Sequence, residues 1–409
     1  MTIFSAKKIM EKSLFANLNL NIIENYMLKN INQNKSYLLY IHVPFCDTFC
    51  PYCSFHKFKY DEQTSINYFK NLRKEMMIVK EKGFKFSSIY VGGGTPFTNE
   101  KELILTLELA KKLFEITEVS CETDPNHIRP STLMHFDGLI DRLSIGIQTF
   151  NDDILKKFSR YKKFGSSYEL QQKLFMIKDI LPITNIDLMF NIPMQTKEML
   201  LNDLKIAKNL NIDQITMYPL MSSNITKQSM TKIFNQQRNS NEYEYYKIIQ
   251  EEFKTYKQNN AWTFSKKNIT MSDEYIGSNA EYIGIGSGAF SFLGNTLYIN
   301  AFNLKQYETL INSNNQATIA KCDFDLKNKI KYQFLTCLFN GPINISIFNK
   351  SLDIDIEQIL KKELFLMKKL NTIYIKNKII YPTKFGNYIN VVLMSQFYSG
   401  IDKIRAYFK

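Results

Sequence analysis

Three cysteines lie within eight residues early in the chain. Cys46, Cys50 and Cys53 have the spacing C-x3-C-x2-C, so one short loop carries three thiolates. Thiolates are soft ligands that suit zinc or the iron of an iron–sulfur cluster. A [4Fe–4S] cluster held by three cysteines leaves one iron open to a substrate or cofactor. A zinc site needs a fourth ligand, for which His56 is close enough in sequence, so both interpretations stay open and the cluster is favoured.

Six stretches have the apolar runs typical of β-strands, and helical patterns follow them. The strand predictions cover residues 37–43, 88–91, 119–122, 142–147, 185–190 and 214–218. The helix predictions between them include 62–82, 101–114, 152–158 and 197–210. Strands that alternate with helices at this spacing form right-handed crossovers and a parallel sheet. Six units are too few to close an eight-stranded barrel, so we expect the α/β class and an open, partial (β/α)6 barrel.

Residues of unusual chemistry follow the ends of these strands. The cysteine loop follows the first strand, and a Gly-Gly-Gly-Thr run at 92–95 follows the second. Glu122 ends the third strand, Gln148 follows the fourth and Asp187 lies within the fifth. In parallel α/β folds the carboxyl ends of the strands meet at one edge, where active sites lie. This coincidence favours an enzyme.

The pattern divides the chain into four parts. We predict an N-terminal helical extension over 1–35, the partial barrel over 36–220, an α/β extension that completes the site over 221–320, and a winged-helix-like domain over 321–409. The last part contains predicted helices over 326–338 and 356–370, a β-ribbon over 372–381 and a further helix over 385–398. Within the third part, a glycine-rich stretch at 282–289 either lines a substrate cavity or forms a tight structural turn.

Composition limits the class of protein. Hydrophobic residues make up 44% of the 409 residues and charged residues 22%, which excludes disordered and collagen-like chains. Lys and Arg exceed Asp and Glu by 13, so an anionic partner such as a nucleic acid, a membrane surface or a carboxylated ligand is plausible. The basic residues are scattered, however, as on an ordinary solvated surface. No apolar run reaches the roughly 18 residues of a membrane span, so we expect a cytoplasmic protein.

The sequence around the cysteine loop resembles a known family. Tyr-Ile-His-Val-Pro-Phe-Cys at 40–46, leading into C-x3-C-x2-C, resembles the signature of radical S-adenosylmethionine (SAM) enzymes, in the branch of the oxygen-independent coproporphyrinogen III oxidases and their relatives. The resemblance implies that Cys46, Cys50 and Cys53 hold a [4Fe–4S] cluster whose open iron binds SAM. In that family, one electron from the cluster cleaves SAM to methionine and a 5'-deoxyadenosyl radical.

Further motifs extend the resemblance to about residue 292. The run at 92–95 resembles the family's glycine-rich turn, and Glu122-Thr-Asp-Pro resembles its E-x-N-P segment, with Asp124 where Asn is usual. Phe55 stands where the coproporphyrinogen oxidases usually carry a further cysteine. The resemblance does not identify a catalytic side chain. The resemblance implies that SAM is bound by Tyr40, Gly92, Gly93, Gly94, Thr95, Glu122, Gln148, Arg160 and Asp187.

Three more stretches resemble a subgroup that includes the class C radical SAM methyltransferases of menaquinone. They lie at 218–221, at 262–265 together with 273–276, and at 394–398. The resemblance implies methylation of an sp2 carbon of a lipid quinone with two SAM molecules, a low-potential donor such as flavodoxin or ferredoxin, peripheral contact with the inner membrane face, and no nucleic acid. Two alternatives stay open: a coproporphyrinogen oxidase or other enzyme of heme metabolism acting on a tetrapyrrole, and a heme chaperone.

Overall fold

The computed structural model describes residues 20–23, 32, 34–221, 223, 225–235, 241–266, 269–271, 281–313 and 316–408. Its strands are β1 Leu20–Ile22, β2 Ser36–Val43, β3 Phe45–Cys46, β4 Phe58–Lys59, β5 Lys85–Gly93, β6 Glu118–Thr123, β7 Arg142–Gln148, β8 Ile183–Phe190, β9 Gln214–Pro219, β10 Lys257–Gln258, β11 Thr263–Ser265, β12 Tyr282–Ile285, β13 Phe290–Leu293, β14 Thr296–Asn300, β15 Thr318–Asp323, β16 Ile343–Asn344, β17 Ile373–Lys376 and β18 Ile379–Pro382. Its helices are α1 Glu62–Glu81, α2 Glu100–Leu113, α3 Pro130–Leu133, α4 Asp152–Lys157, α5 Tyr161–Phe164, α6 Ser167–Ile177, α7 Lys197–Asn209, α8 Lys227–Phe234, α9 Glu242–Glu252, α10 Leu304–Asn312, α11 Leu326–Phe339, α12 Ile345–Leu352, α13 Ile356–Ile359, α14 Lys361–Lys369 and α15 Lys384–Tyr407. Short 3-10 turns lie at Pro96–Asn99 and Met134–Phe136.

Thirteen of the described strands form one open sheet. Their order is β1-β15-β14-β13-β12-β2-β5-β6-β7-β8-β9-β11-β10. The strands from β12 to β9 in that order run parallel to one another. The strands outside them pair in antiparallel fashion. The predicted α/β class and open parallel sheet are therefore confirmed.

The parallel strands are buried, and their helices lie in the crossovers. In β2 every residue from Tyr37 to Val43 is buried, as expected for a strand that is covered on both faces. Asp61 caps the N-terminus of helix α1, because its side chain accepts a hydrogen bond from the Thr64 amide at 2.9 Å. Since the crossovers contain the helices, the loops at the carboxyl ends of the strands are available to form a site.

A seventh parallel strand comes from the glycine-rich stretch. Strand β12 pairs with β2, on the side of β2 that faces away from β5. Gly284 is required there, because a Cβ atom at this position would lie 2.1 Å from the Phe290 carbonyl oxygen. The stretch therefore belongs to the sheet and extends it beyond the six predicted strands.

Residues after β15 form a smaller unit around a three-stranded sheet with the order β16-β18-β17. The chain order of helix, short strand, helices, β-ribbon and helix is winged-helix-like, as predicted. Helix α12 is absent from the prediction. The helix predicted over 356–370 is interrupted at Leu360, whose backbone leaves the helical region at φ −104° and ψ 25°. The last helix, α15, continues to Tyr407 and does not end at 398 as predicted.

The helical extension predicted over 1–35 falls largely outside the described residues. Its described segment β1 pairs with the sheet strand β15, so the helix prediction is wrong for Leu20–Ile22. Pairing with a sheet edge has overridden the local pattern there. None of the described helices is both long enough and apolar enough to cross a membrane.

Candidate active site

A cavity opens at the carboxyl ends of the parallel strands. Residues from the ends of β2, β5, β6, β7, β8 and β9, or from the loops after them, line it together with the last turns of α15. Every residue that the sequence singled out as a ligand of the cluster or of SAM lines this cavity, except Gly92. The fold thus places these side chains around one space, and their roles as ligands stay a prediction.

The cysteine loop forms part of the cavity wall. Cys46 ends β3, and the Thr95 hydroxyl lies 3.8 Å from its sulfur. The amide of Cys53 donates to the Cys50 carbonyl at 3.2 Å, which folds the loop back on itself. Burial, with the nearby Cys53, raises the pKa of Cys46 to about 12. This thiol is therefore protonated at neutral pH in the metal-free protein, and a metal must displace its proton.

The donor set fits an iron–sulfur cubane better than a single zinc ion. His56, the fourth ligand of the zinc alternative, is buried; its Nε2 lies 3.1 Å from Ser287 Oγ and its ring stacks on His42. Within the described ranges, no three or more His, Cys, Asp or Glu side chains are grouped around one metal position. A cubane does not need that convergence, because each thiolate binds a different iron. Three sulfurs along one cavity wall therefore suit a [4Fe–4S] cluster.

Arg160 lies beside the cysteine loop. Its side chain is buried, with Nη1 3.4 Å from Cys50 Sγ and 3.1 Å from the Tyr52 hydroxyl. Nη2 donates to the Gly146 carbonyl, and the guanidinium carbon lies 4.2 Å from the centre of the Phe164 ring. The Nε atom has no hydrogen-bond partner among the described residues. A held guanidinium with a remaining N–H is suited to bind a carboxylate, which is the role implied by the family resemblance.

Glu122 presents its carboxylate at the end of β6. It accepts hydrogen bonds from the Tyr90 hydroxyl at 2.8 Å and from the Gly93 amide at 3.2 Å. Gly92 does not line the cavity but leaves room for this carboxylate, because a Cβ atom there would lie 2.8 Å from Glu122 Oε2. The glycine-rich turn thus positions Glu122 as well as bounding the cavity.

Asp187 and Gln148 complete the polar wall. Asp187 accepts hydrogen bonds from Ser144 Oγ at 3.0 Å and from Asn185 Nδ2 at 2.8 Å. Gln148 has a φ of 76°, which is a rare conformation for a residue with a side chain. Gly146 makes room for that side chain, since a Cβ atom there would lie 3.0 Å from Gln148 Nε2. Strained backbone of this kind is concentrated at functional sites.

Some cavity residues are absent from the sequence prediction. Lys163 lies 3.4 Å from Asp124 Oδ2, so the carboxylate that replaces the family's usual Asn is neutralised by a neighbour. Asp402 and Arg405 also line the cavity. They come from the distant helix α15, and no local pattern indicates their position.

Tyr40 lines the cavity, and its hydroxyl is held by a hydrogen bond to the buried His42. It lies 2.8 Å from His42 Nδ1, while His42 Nε2 lies 3.2 Å from the carbonyl oxygen of His56. Because a carbonyl only accepts, Nε2 carries the hydrogen and Nδ1 accepts from Tyr40. Burial, together with the positive charge of Arg405, lowers the pKa of His42 to about 3. His42 therefore stays neutral and fixes the direction of the Tyr40 hydroxyl.

The turn after β12 packs behind His42 and does not line the cavity. Gly286 has a φ of 99°, and a Cβ atom there would lie 2.5 Å from the His42 carbonyl oxygen. Its amide donates to Glu75 Oε2 at 2.7 Å, and the same carboxyl accepts from Tyr307 at 2.8 Å and from Asn300 at 3.1 Å. Of the two alternatives for the glycine-rich stretch, the structure therefore favours the tight turn.

This buried carboxyl makes stability depend on pH. Burial raises the pKa of Glu75 from 4.5 to about 7, so the folded protein holds the proton more tightly than the unfolded chain. The resulting stabilisation is complete below pH 4.5 and is lost as the pH rises through about 7. We expect the free energy of unfolding in urea to fall over that range, with a smaller slope in Glu75→Gln.

The exposed Glu108→Gln variant is the matched control and should keep the wild-type slope. Burial also raises the pKa of Asp203 to about 7, so part of the slope should remain in Glu75→Gln. An identical slope in Glu75→Gln and in the wild type would contradict this assignment.

Comparison with known proteins supports the family resemblance of the sequence around the cysteine loop. Residues 40–207 match the model of the Radical SAM superfamily. The heme chaperone HemW of Bacillus subtilis is 28% identical over 297 residues, which cover 66% of this chain and 75% of that protein. The oxygen-independent coproporphyrinogen III oxidase of Helicobacter pylori is 27% identical over 215 residues, covering 50% and 46%.

A solved structure shares the fold over most of the chain. The coproporphyrinogen III oxidase HemN of Escherichia coli, a radical SAM enzyme, covers 89% of this chain and 91% of its own with a TM-score of 0.71 at 21% identity. The radical SAM match implies a [4Fe–4S] cluster and SAM, and the donor set described above fits both. Residues 40–207 therefore form a radical SAM domain, and the chain is similar to the HemW heme chaperones and the oxygen-independent coproporphyrinogen III oxidases.

Proposed function

We propose that this protein is a radical SAM enzyme that acts on a tetrapyrrole bearing carboxylate groups. The observation that carries the proposal is the composition of one cavity. The cysteine loop, the buried Arg160 and a second buried arginine, Arg405, all line it. Guanidinium groups bind carboxylates strongly in buried surroundings, so the cavity can hold a carboxylate of the cofactor and one of the substrate.

In this proposal the polar wall holds the cofactors. Cys46, Cys50 and Cys53 bind the cluster, Arg160 binds the SAM carboxylate, and Glu122 accepts from SAM donors such as ribose hydroxyls. When bound, the cluster and SAM supply a 5'-deoxyadenosyl radical that can remove hydrogen from an unactivated carbon. The chain itself contributes the fixed positions of the side chains that hold them.

Another part of the cavity wall is apolar. Its side chains include Phe55, Met189, Pro219, Leu220, Met221 and Tyr398. An apolar wall suits a large flat substrate and limits quenching of a radical by water. A tetrapyrrole with carboxylate groups satisfies both this wall and the arginines.

The relatives support the same class of substrate. Several are named as heme chaperones or coproporphyrinogen III oxidases, and heme and coproporphyrinogen are both carboxylated tetrapyrroles. These relatives are 27% to 29% identical to this chain. The comparison therefore favours a tetrapyrrole over the quinone that was the first expectation from the sequence.

A second candidate is the class C methyltransferase of menaquinone, acting with two SAM molecules. In its favour, residues 218–221 and Tyr398 of the resembling stretches line the cavity. Trp262, by contrast, is fully buried against Tyr218 and Phe339, and residues 273–276 lie outside the described residues. A quinone offers no carboxylate to pair with the Arg405 guanidinium, so this candidate comes second.

A product assay separates the candidates. The anaerobically reconstituted protein is incubated with SAM and a low-potential reductant, dithionite or reduced flavodoxin, and either coproporphyrinogen III or a menaquinone analogue. Our proposal expects 5'-deoxyadenosine together with a chemically changed tetrapyrrole, such as its decarboxylated form.

Other products would overturn the proposal. S-adenosylhomocysteine with a methylated quinone would establish the second candidate, and deuterium from the SAM methyl group would then appear in 5'-deoxyadenosine. Stoichiometric heme binding without sustained turnover of SAM would indicate a chaperone.

A further inference from the structure

The last turns of α15 place three side chains in the cavity. Tyr398, Asp402 and Arg405 are spaced by four and three residues, so they lie on one face of the helix. They are the part of the cavity wall that comes from the C-terminal unit and not from the parallel sheet.

Arg405 is held in place but is not fully paired. Its side chain is 7% exposed, and Nη1 donates to Asp402 Oδ1 at 2.8 Å. The guanidinium lies over the Phe55 ring, 5.2 Å from its centre, which joins α15 to the cysteine loop. The Nε atom is buried and has no hydrogen-bond partner in the described part of the chain. A buried guanidinium N–H without an acceptor is unfavourable, so a ligand that supplies one is favoured there.

The use of arginine in place of lysine at two positions of the cavity wall also indicates a carboxylate ligand. The chain has only six arginines among its 52 basic residues. Two of the six, Arg160 and Arg405, line the cavity, and both have a buried Nε without a partner among the described residues. Lysine presents a point charge, whereas the planar guanidinium matches a carboxylate with two parallel hydrogen bonds. In a chain whose basic residues are mostly lysine, two arginines thus stand where a carboxylate could be bound.

We propose that Arg405 binds a carboxylate of the substrate, with Asp402 as the residue that positions it. This inference rests on the proposed function and deepens it, because it assigns the end of α15 to substrate recognition. In this assignment Arg160, which lies beside Cys50, binds the carboxylate of SAM.

The test measures binding directly. Coproporphyrin III and its tetramethyl ester are titrated against the reconstituted full-length protein, with porphyrin fluorescence as the readout. Arg405→Gln is expected to bind coproporphyrin III about 10- to 100-fold more weakly than the wild type, because a charge-assisted pair is lost. Arg405→Lys, which keeps the charge but not the planar fork, should fall between them. The exposed Arg129→Gln is the matched control and should bind as the wild type does.

The ester tests the inference without any variant. It lacks the carboxylates, so the wild type should bind it at least about tenfold more weakly than the free acid, and Arg405→Gln should not weaken it further. Equal binding of acid and ester by the wild type would overturn the inference, even if Arg405→Gln failed to fold.

The remaining outcomes distinguish the inference from the proposed function. Unchanged coproporphyrin III binding by Arg405→Gln would overturn the inference and leave the proposed function intact. If Arg405→Gln lost SAM binding as strongly as coproporphyrin III binding, Arg405 would be a contact of the cofactor. That result would also overturn the inference. If the wild type binds neither porphyrin, the proposed function fails and the inference fails with it.

Discussion

Replacing Cys46, Cys50 or Cys53 with alanine, one at a time, is expected to abolish the cluster absorbance and all cleavage of SAM. Each sulfur binds a different iron of the cubane, so no neighbour on the loop can take the place of the missing one. His56 cannot substitute either, because it is buried and lies against Ser287. The measurements are iron and sulfide per chain, the visible spectrum, and 5'-deoxyadenosine formed under reducing conditions.

The other cysteines provide matched controls for this prediction. Cys121 and Cys322 are buried in the core, and none of Cys121, Cys322 and Cys337 lines the cavity. Alanine at any of these positions should leave close to four iron and four sulfide per chain, as in the wild type. Recovery of zinc and no iron after anaerobic reconstitution would contradict the assignment of the loop.

Arg160→Ala is expected to lower the affinity for SAM about 10- to 100-fold, or about 1.5–3 kcal/mol, because a charge-assisted hydrogen bond to the SAM carboxylate is lost. Nη1 also lies 3.4 Å from the Cys50 sulfur, so the variant removes a positive charge beside a cluster ligand. We therefore expect the reduction potential of the cluster to fall as well. Equilibrium dialysis of SAM and a spectroscopic redox titration measure the two effects separately.

Arg160→Lys separates charge from geometry, since it keeps a cation beside Cys50 without the planar fork. The reduction potential of its cluster should stay close to that of the wild type, whereas its affinity for SAM should fall clearly below it. Iron content, determined on the same samples, reports whether the cluster is intact. Wild-type SAM affinity in Arg160→Ala, with iron retained, would mean that another residue binds the carboxylate.

The parallel core could be predicted from the sequence because its signals are local. The strands predicted at 142–147 and 214–218 are observed as Arg142–Gln148 and Gln214–Pro219. Buried apolar runs alternate there with helical patterns, and each unit repeats the same local information. The cysteine loop could be predicted for the same reason, since three ligands lie within eight residues.

Features that depend on distant pairing could not be predicted in this way. Strand β12 looks like a glycine-rich loop, and only its partners show why Gly284 is needed at the close approach to Phe290. The strands from β13 to β15 extend the sheet through antiparallel pairing that the helix–strand alternation does not indicate. Arg405 lies far along the chain from the cysteine loop, and no short spacing indicates its place beside Phe55.

The position of β2 between β5 and β12 also bears on how fast the chain folds. β5 follows it closely in sequence, but β12 lies more than 240 positions after the matching residues of β2. Contacts of such long sequence separation carry a large loop-closure cost and slow folding. Until β12 arrives, β2 is an apolar strand with one open edge, which favours aggregation of partly folded chains. The strand that leads into the cysteine loop is therefore among the last to gain its full set of partners.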